Sequence, residues 1–282
     1  MTASSLDDSI VNRAAPPGSM RYFALLYAPP ALRDASTALF VIDAEIRESA
    51  QSANHDVAHT RLQWWRQEID RLVNANAQHP ATRVLNGLPI DRRQFAKLHE
   101  LIAAADMDLA RMTYLDEREL RAYCARSGGT IAEAIAMLLT PADLLDDAAR
   151  KAANRLGSLV RATEIVRDVR QDAYDGRLYV PLDMLEKHGV QHEDLRAKDL
   201  SAGARQALGA LATQVRGEFD ATLASIRGPM RAYFRPLFVL GELHAALLSH
   251  IARRDYDVGA ERIELGPIMK PWVAWRAARH AR

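Results

Sequence analysis

Apolar residues recur at three- and four-residue steps through most of the chain, and the two-residue alternation of half-buried strands is nearly absent. The pattern predicts helices over about 17–28, 30–52, 57–77, 91–112, 116–139, 141–174, 199–226, 229–255 and 267–281. Thr140-Pro141 reads as the start of the longest, a cap followed by a first-turn proline. Residues 1–15 are polar and are expected to form a flexible N-terminal segment. Gly176 to Pro181 is expected to be an extended connection, with Pro181 opening a short helix. No repeat, low-complexity tract or long linker divides the remainder. Residues 16–282 are therefore expected to form one all-α domain, its helices surrounding a central cavity or a packed core.

Composition narrows the class. Of 282 residues, 49% are hydrophobic and 26% charged, the balance of a soluble globular protein. Lys plus Arg is 37 against 36 Asp plus Glu, so no basic excess points to nucleic acid. The single cysteine, Cys124, rules out an internal disulfide framework or a thiolate zinc cluster, and it reads as a small core residue. The most apolar stretch, 236–252, is interrupted by Glu242, His244 and His250 and reads as a buried helix, not a membrane span. No signal peptide is recognisable. A cytoplasmic protein is expected, with peripheral contact at the inner face of a membrane as an option.

Candidate chemistry concentrates in 156–185. Glu164, Asp168 and Asp172 stand at i, i+4 and i+8, so on a helix their carboxylates share one stripe. Asp168 and Asp172 would lie one turn apart, about 6 Å, and would repel unless cations or arginines lie between them. Magnesium prefers oxygen ligands and is commonly held by one or two carboxylates plus substrate phosphate oxygens. Arg167, Arg170 and Arg177 suit phosphate oxygens, and Tyr179 has a hydroxyl to donate to the same group. An Asp-x-x-x-Asp pair alone also fits a solvated helix paired with arginines. Two features favour a site: the helix is otherwise apolar, and Gly176-Arg177-Leu178-Tyr179-Val180-Pro181 follows at once.

These strings resemble the second aspartate-rich motif of the squalene/phytoene synthase family. The likeness extends further: Tyr22-Phe23 with Pro29-Pro30 and Arg33, then Leu62 to Glu68 around Trp64-Trp65. Asp108 with Tyr114, Tyr123 with Ser127-Gly128-Gly129-Thr130, and Arg235-Pro236 to the end continue it in the family's order. The resemblance implies an isoprenoid-synthase-type helical bundle around a central cavity. It implies magnesium-dependent ionisation of a prenyl diphosphate, farnesyl or geranylgeranyl, and head-to-head condensation with a second. On that reading Asp168, Asp172 and Tyr179 are catalytic. Arg167, Arg177, Tyr22, Tyr123 and Arg161 bind substrate, and Asp168, Asp172, Glu164 and Glu45 hold magnesium.

The chain also departs from the pattern. Glu45, Ile46 and Ser49 fall on the three acidic positions of the first motif, so only Glu45 keeps an acid. Arg161 stands where the family has glutamine, and Glu164 where it has asparagine. Such thinning resembles relatives that serve as assembly factors for respiratory complex I, with protein partners in place of a substrate. A one-diphosphate enzyme, a terpene cyclase or an acceptor prenyltransferase, is the third reading.

Other residues invite simpler accounts. Trp64 and Trp65 are expected to split between core and surface. Gly128 and Gly129 permit close approach of a ligand or of another helix. His55 and His59 have H-x-x-x-H spacing without the glutamate of a zinc hydrolase. At the C-terminus, 270–282 interleaves Trp272 and Trp275 with Lys270, Arg276, Arg279 and Arg282. That helix either tucks its tryptophans onto the domain or lies on a membrane surface.

Overall fold

The computed structural model describes residues 6–281, and among these there is no strand. The order is α1 (Asp8–Ala14), α2 (Met20–Leu25), α3 (Pro30–Ala50), α4 (His55–Val73), α5 (Pro80–Asn86), a 3₁₀ segment Arg92–Leu98, and α6 (His99–Leu109). Next come α7 (Glu117–Cys124), a wide π turn over Ala125–Gly129, α8 (Thr130–Leu139), and α9 (Asp147–Tyr174). The C-terminal part holds α10 (Leu182–Lys187), a 3₁₀ segment His192–Arg196, α11 (Ala202–Ser225), α12 (Pro229–Tyr233), α13 (Arg235–Ala252) and α14 (Met269–His280).

Two helices organise the packing. α9 is covered by α7, the π turn, α8, α11 and α13, while α3 is covered by α1, α4, α5, α6 and α8. Consequently α9 is buried almost all round from Leu156 to Val169, including Arg161 and Arg167. Close approach is built on glycine. A Cβ on Gly157 would lie 2.2 Å from the Gly128 carbonyl oxygen, and one on Gly128 would lie 2.3 Å from the Gly157 oxygen. Of the two roles open to Gly128, helix packing is the one observed. The neighbouring Asn154 side chain donates to the Ala125 carbonyl at 3.3 Å, satisfying an oxygen of the wide turn.

Several boundaries differ from the periodicity. The segment expected to be flexible over 1–15 contains α1, because Asp7 caps it by accepting from the Ser9 N–H, and Ala14 and Ala15 are buried. Residues 1–5 and 282 lie outside the described residues. Helix α9 starts at Asp147, not at 141. The Asp146 carboxylate accepts from the Ala149 N–H at 2.7 Å and outcompetes Thr140-Pro141 as the cap. The stretch 91–112 divides into a 3₁₀ segment and α6, and α5, preceding it, carries too few residues for its period to show. The stretch 229–255 breaks at Phe234 into α12 and α13. The extended connection after α9 is present. Gly176 turns it at φ +76°, with the Arg111 guanidinium 3.0 Å from where a Cβ would stand. Pro181 then precedes α10.

Candidate active site

The C-terminal half of α9 borders a cavity of about 640 Å³. Arg47 reaches it from α3, Asp108 from α6, and Arg177 and Tyr179 from the connection after α9. Gly259 and Arg262 belong to the loop between α13 and α14. Six arginines line it (Arg47, Arg161, Arg167, Arg170, Arg177 and Arg262), and so do six carboxylates (Asp108, Glu164, Asp168, Asp172, Asp175 and Glu261). The predicted stripe of Glu164, Asp168 and Asp172 therefore faces one enclosure. Its wall is ionic where an apolar one was expected. Nearby, the apolar gap among Leu120, Cys124, Leu159, Ala162, Leu211 and Val215 holds only about 30 Å³.

The three carboxylates of the stripe have different partners. Glu164 Oε2 is 3.3 Å from Arg47 Nη1 and 3.6 Å from Arg161 Nη1. Burial would raise its pKa, but Arg47, Arg21, Arg161 and Arg167 outweigh burial and hold it well below the usual range. Asp168 accepts from Arg167 Nε at 2.8 Å and from Arg262 Nε at 2.7 Å, and its other oxygen also faces both guanidinium groups. Burial opposes ionisation there too, and the hydrogen bonds from Arg167 and Arg262 overcome it. Asp172 lacks such a partner, and its Oδ2 is buried without a hydrogen bond. Burial, with Asp168 and Asp108 nearby, pushes its carboxyl up to about 6 against the pull of Arg161 and Arg177.

Behind Asp172 lies a tyrosine cluster. Tyr179 donates to Asp108 Oδ1 at 2.7 Å, and Tyr123 donates to Asp108 Oδ2 at 3.1 Å. Arg161 Nη2 donates to the Tyr123 hydroxyl at 3.0 Å, and its guanidinium sits 4.9 Å from the Tyr179 ring centroid. Both phenols are pushed well above their ordinary pKa by burial, so they remain donors. The guanidinium at Arg161 thus lies between α9 and the tyrosines, not between α9 and Glu45.

Two predicted residues do not join the site. Glu45 turns toward His79, with 3.3 Å between Glu45 Oε2 and His79 Nε2. Neither Glu45 nor Tyr22 lines the cavity. Tyr22 packs edge-on against Phe23 on α2. Sequence reasoning missed three residues that do matter here. Arg47 had a signal, since it sits one turn beyond Asp43, which is buried and accepts from Arg47 Nε at 2.9 Å and Arg21 Nη2 at 2.6 Å. Asp108 was visible only as part of a resemblance. Arg262 had no signal, because it meets Asp168 from 94 positions away.

The donor set, as arranged, does not fit the magnesium that the resemblance implies. Both oxygens of Asp168 are engaged by guanidinium groups, and Glu164 is held by two more. Among the described residues no three His, Cys, Asp or Glu side chains gather as ligands for an ion. A cation entering would meet fixed positive charges, each worth about 4 kcal/mol per unit charge at about 4 Å and an effective dielectric of about 20.

Elsewhere, Cys124 is buried, and burial pushes its thiol up to about 12, far from a nucleophile. Trp65 is buried and Trp64 is 38% exposed, the expected split. Trp272 and Trp275 do not tuck inward: they are 53% and 50% exposed, while Val273, Ala274, Ala277 and Ala278 make the buried face of α14. No helix among the described residues is long and apolar enough to cross a membrane.

Comparison with known proteins agrees with the fold and the motif order. The structure resembles squalene synthase from Alicyclobacillus acidocaldarius (TM-score 0.72, 22% identity, 88% of this chain and 92% of that one). It also resembles a dehydrosqualene synthase solved with a ligand (TM-score 0.76, 15% identity, 97% and 95%). In sequence, a phytoene synthase of Thermus thermophilus is 34% identical over 158 residues, 56% of this chain and 53% of that protein. A bifunctional lycopene cyclase/phytoene synthase of Phaeosphaeria nodorum is 27% identical over 220 residues. That match spans 72% of this chain but only 36% of the fungal protein, so the chain corresponds to part of the length of these relatives. The family model for squalene/phytoene synthase matches residues 15–269, and the chain belongs to that family.

Proposed function

We propose that this protein is a prenyl-diphosphate transferase. It takes farnesyl or geranylgeranyl diphosphate, ionises the allylic C–O bond and joins the resulting cation head-to-head to a second prenyl chain. The observation that carries the reading is the cavity beside α9, where six guanidinium groups surround a space large enough for a diphosphate. Diphosphate oxygens would accept from Arg161, Arg167, Arg177 and Arg262, and the bond's electron pair would leave onto an oxygen so held. Tyr179, oriented by Asp108, presents its ring and hydroxyl to the same space. The prenyl tail requires the side chains around the narrow gap at Leu120 and Leu159 to part.

Support over a role in respiratory-complex assembly comes from the relatives, since those named above are synthases. Contact with a lipid surface through the exposed Trp272 and Trp275 belongs to the same proposal, because prenyl products partition into membranes. The test is incubation of purified protein with each diphosphate, with and without magnesium, reading pyrophosphate release and hydrocarbon products. Release with formation of a coupled product is expected. No release, while a working family member turns over in parallel, overturns the reading.

A further inference from the structure

We infer that fixed guanidinium groups replace divalent cations in this site, so that the chain binds a diphosphate without a metal. The inference rests on the proposed diphosphate substrate and deepens it.

Three observations converge. On the α3 side of the cavity, a cation stands where carboxylates were expected. Arg47 points at Glu164 across the interface and is braced from behind by Asp43, which is 2% exposed and shared with Arg21. On α9 itself, Arg161 and Arg167 are more than nine-tenths buried. Burying guanidinium groups at an open cavity is costly unless anions complete their hydrogen bonding. That completion is missing: the Nε atoms of Arg161 and Arg177 are buried and have no hydrogen-bond partner. The third observation is Asp168. Its carboxylate is clamped by Arg167 and Arg262 in the geometry an incoming phosphoryl group would use. Asp168 then serves as an internal stand-in that the ligand displaces, not as a ligand for an ion.

This assignment reverses the expected sign of one substitution. If Asp168 held a cation, Asp168→Asn would abolish binding of a metal–diphosphate complex. If Asp168 competes with diphosphate for Arg167 and Arg262, the same change strengthens binding.

Calorimetric titration of the full chain with inorganic pyrophosphate, once in EDTA and once in millimolar magnesium, tests this. Affinities equal within about twofold are expected in the two buffers. Asp168→Asn should tighten binding severalfold, and Arg161→Gln and Arg47→Gln should each weaken it by roughly tenfold, the loss of one charge-assisted hydrogen bond. Thermal melts of each variant separate weakened binding from a failure to fold. Binding only in magnesium, or its loss in a folded Asp168→Asn variant, overturns the metal-free assignment and leaves the transferase reading standing. If neither pyrophosphate nor a prenyl diphosphate binds in either buffer, both fall.

Discussion

The two halves of α9 solve opposite problems. The N-terminal half closes space: Gly157 meets Gly128 backbone to backbone, and no side chain fits between them. The C-terminal half keeps space open, surrounding a cavity of about 640 Å³ with charges that must be paired or solvated. Uniform helical geometry therefore yields a packed contact at one end and a reactive surface at the other. The difference comes from what crosses the helix. Asp168 and Asp172 make the point at closest range. One turn apart on the same face, the first is held ionised by two arginines, while burial pushes the second up to about 6.

The sharpest way to break the comparison is at the closed end. Gly157→Ala should destabilise the fold by about 3 kcal/mol in chemical denaturation, because the new methyl group would lie 2.2 Å from backbone, which cannot rotate away. A loss below about 1 kcal/mol would show that the two helices are not locked together there.

The open end should respond to pH instead. Asp172 binds its proton more tightly folded than unfolded, 3.8 being the model value. Between pH 4 and 6 the native state therefore holds the extra proton, and stability falls as pH rises through that window. Above it, the cost of the buried carboxylate is fully present. Asp172→Asn removes that cost, so the variant should be more stable than the parent by about 1 kcal/mol at pH 8, with the gain gone by pH 4. A gain independent of pH would indicate a packing effect.

Substitutions on α14 touch neither half and set the baseline. Trp272→Ala and Trp275→Ala should change stability by less than about 0.5 kcal/mol, since both side chains are half exposed. They should nonetheless lower the fraction of protein that sediments with anionic vesicles. Unchanged sedimentation would leave the exposed tryptophans without a lipid role.

Much of the architecture was legible in the sequence, because it rests on local rules. Helix α3 follows from its apolar period and Pro30, and α11 from Ser201 as its cap. The stripe Glu164, Asp168, Asp172 and the turn at Gly176 were equally readable, being set by helical spacing and by one positive φ. What the sequence hid was the choice of partner. That Asp168 takes Arg262, and Glu164 takes Arg47, depends on which segments the fold brings together 94 and 117 positions apart. Glu45 looked like a ligand because its position on α3 matched a motif, but its side chain finds His79 instead. The start of α9 was misjudged because Thr140-Pro141 and Asp146 both signal a cap, and only the second makes the hydrogen bond.

The wide turn at Ala125–Gly129 carries a last consequence. It stores one surplus residue between α7 and α8, and a regular helix turns about 100° per residue. Removing a single residue there would let the coil tighten into an ordinary one while spinning everything beyond it by more than a quarter revolution. Ile131 and Ile135, both deeply buried, would swing out of their sockets. Trimming this stretch by one codon should thus be among the least tolerated deletions in the chain.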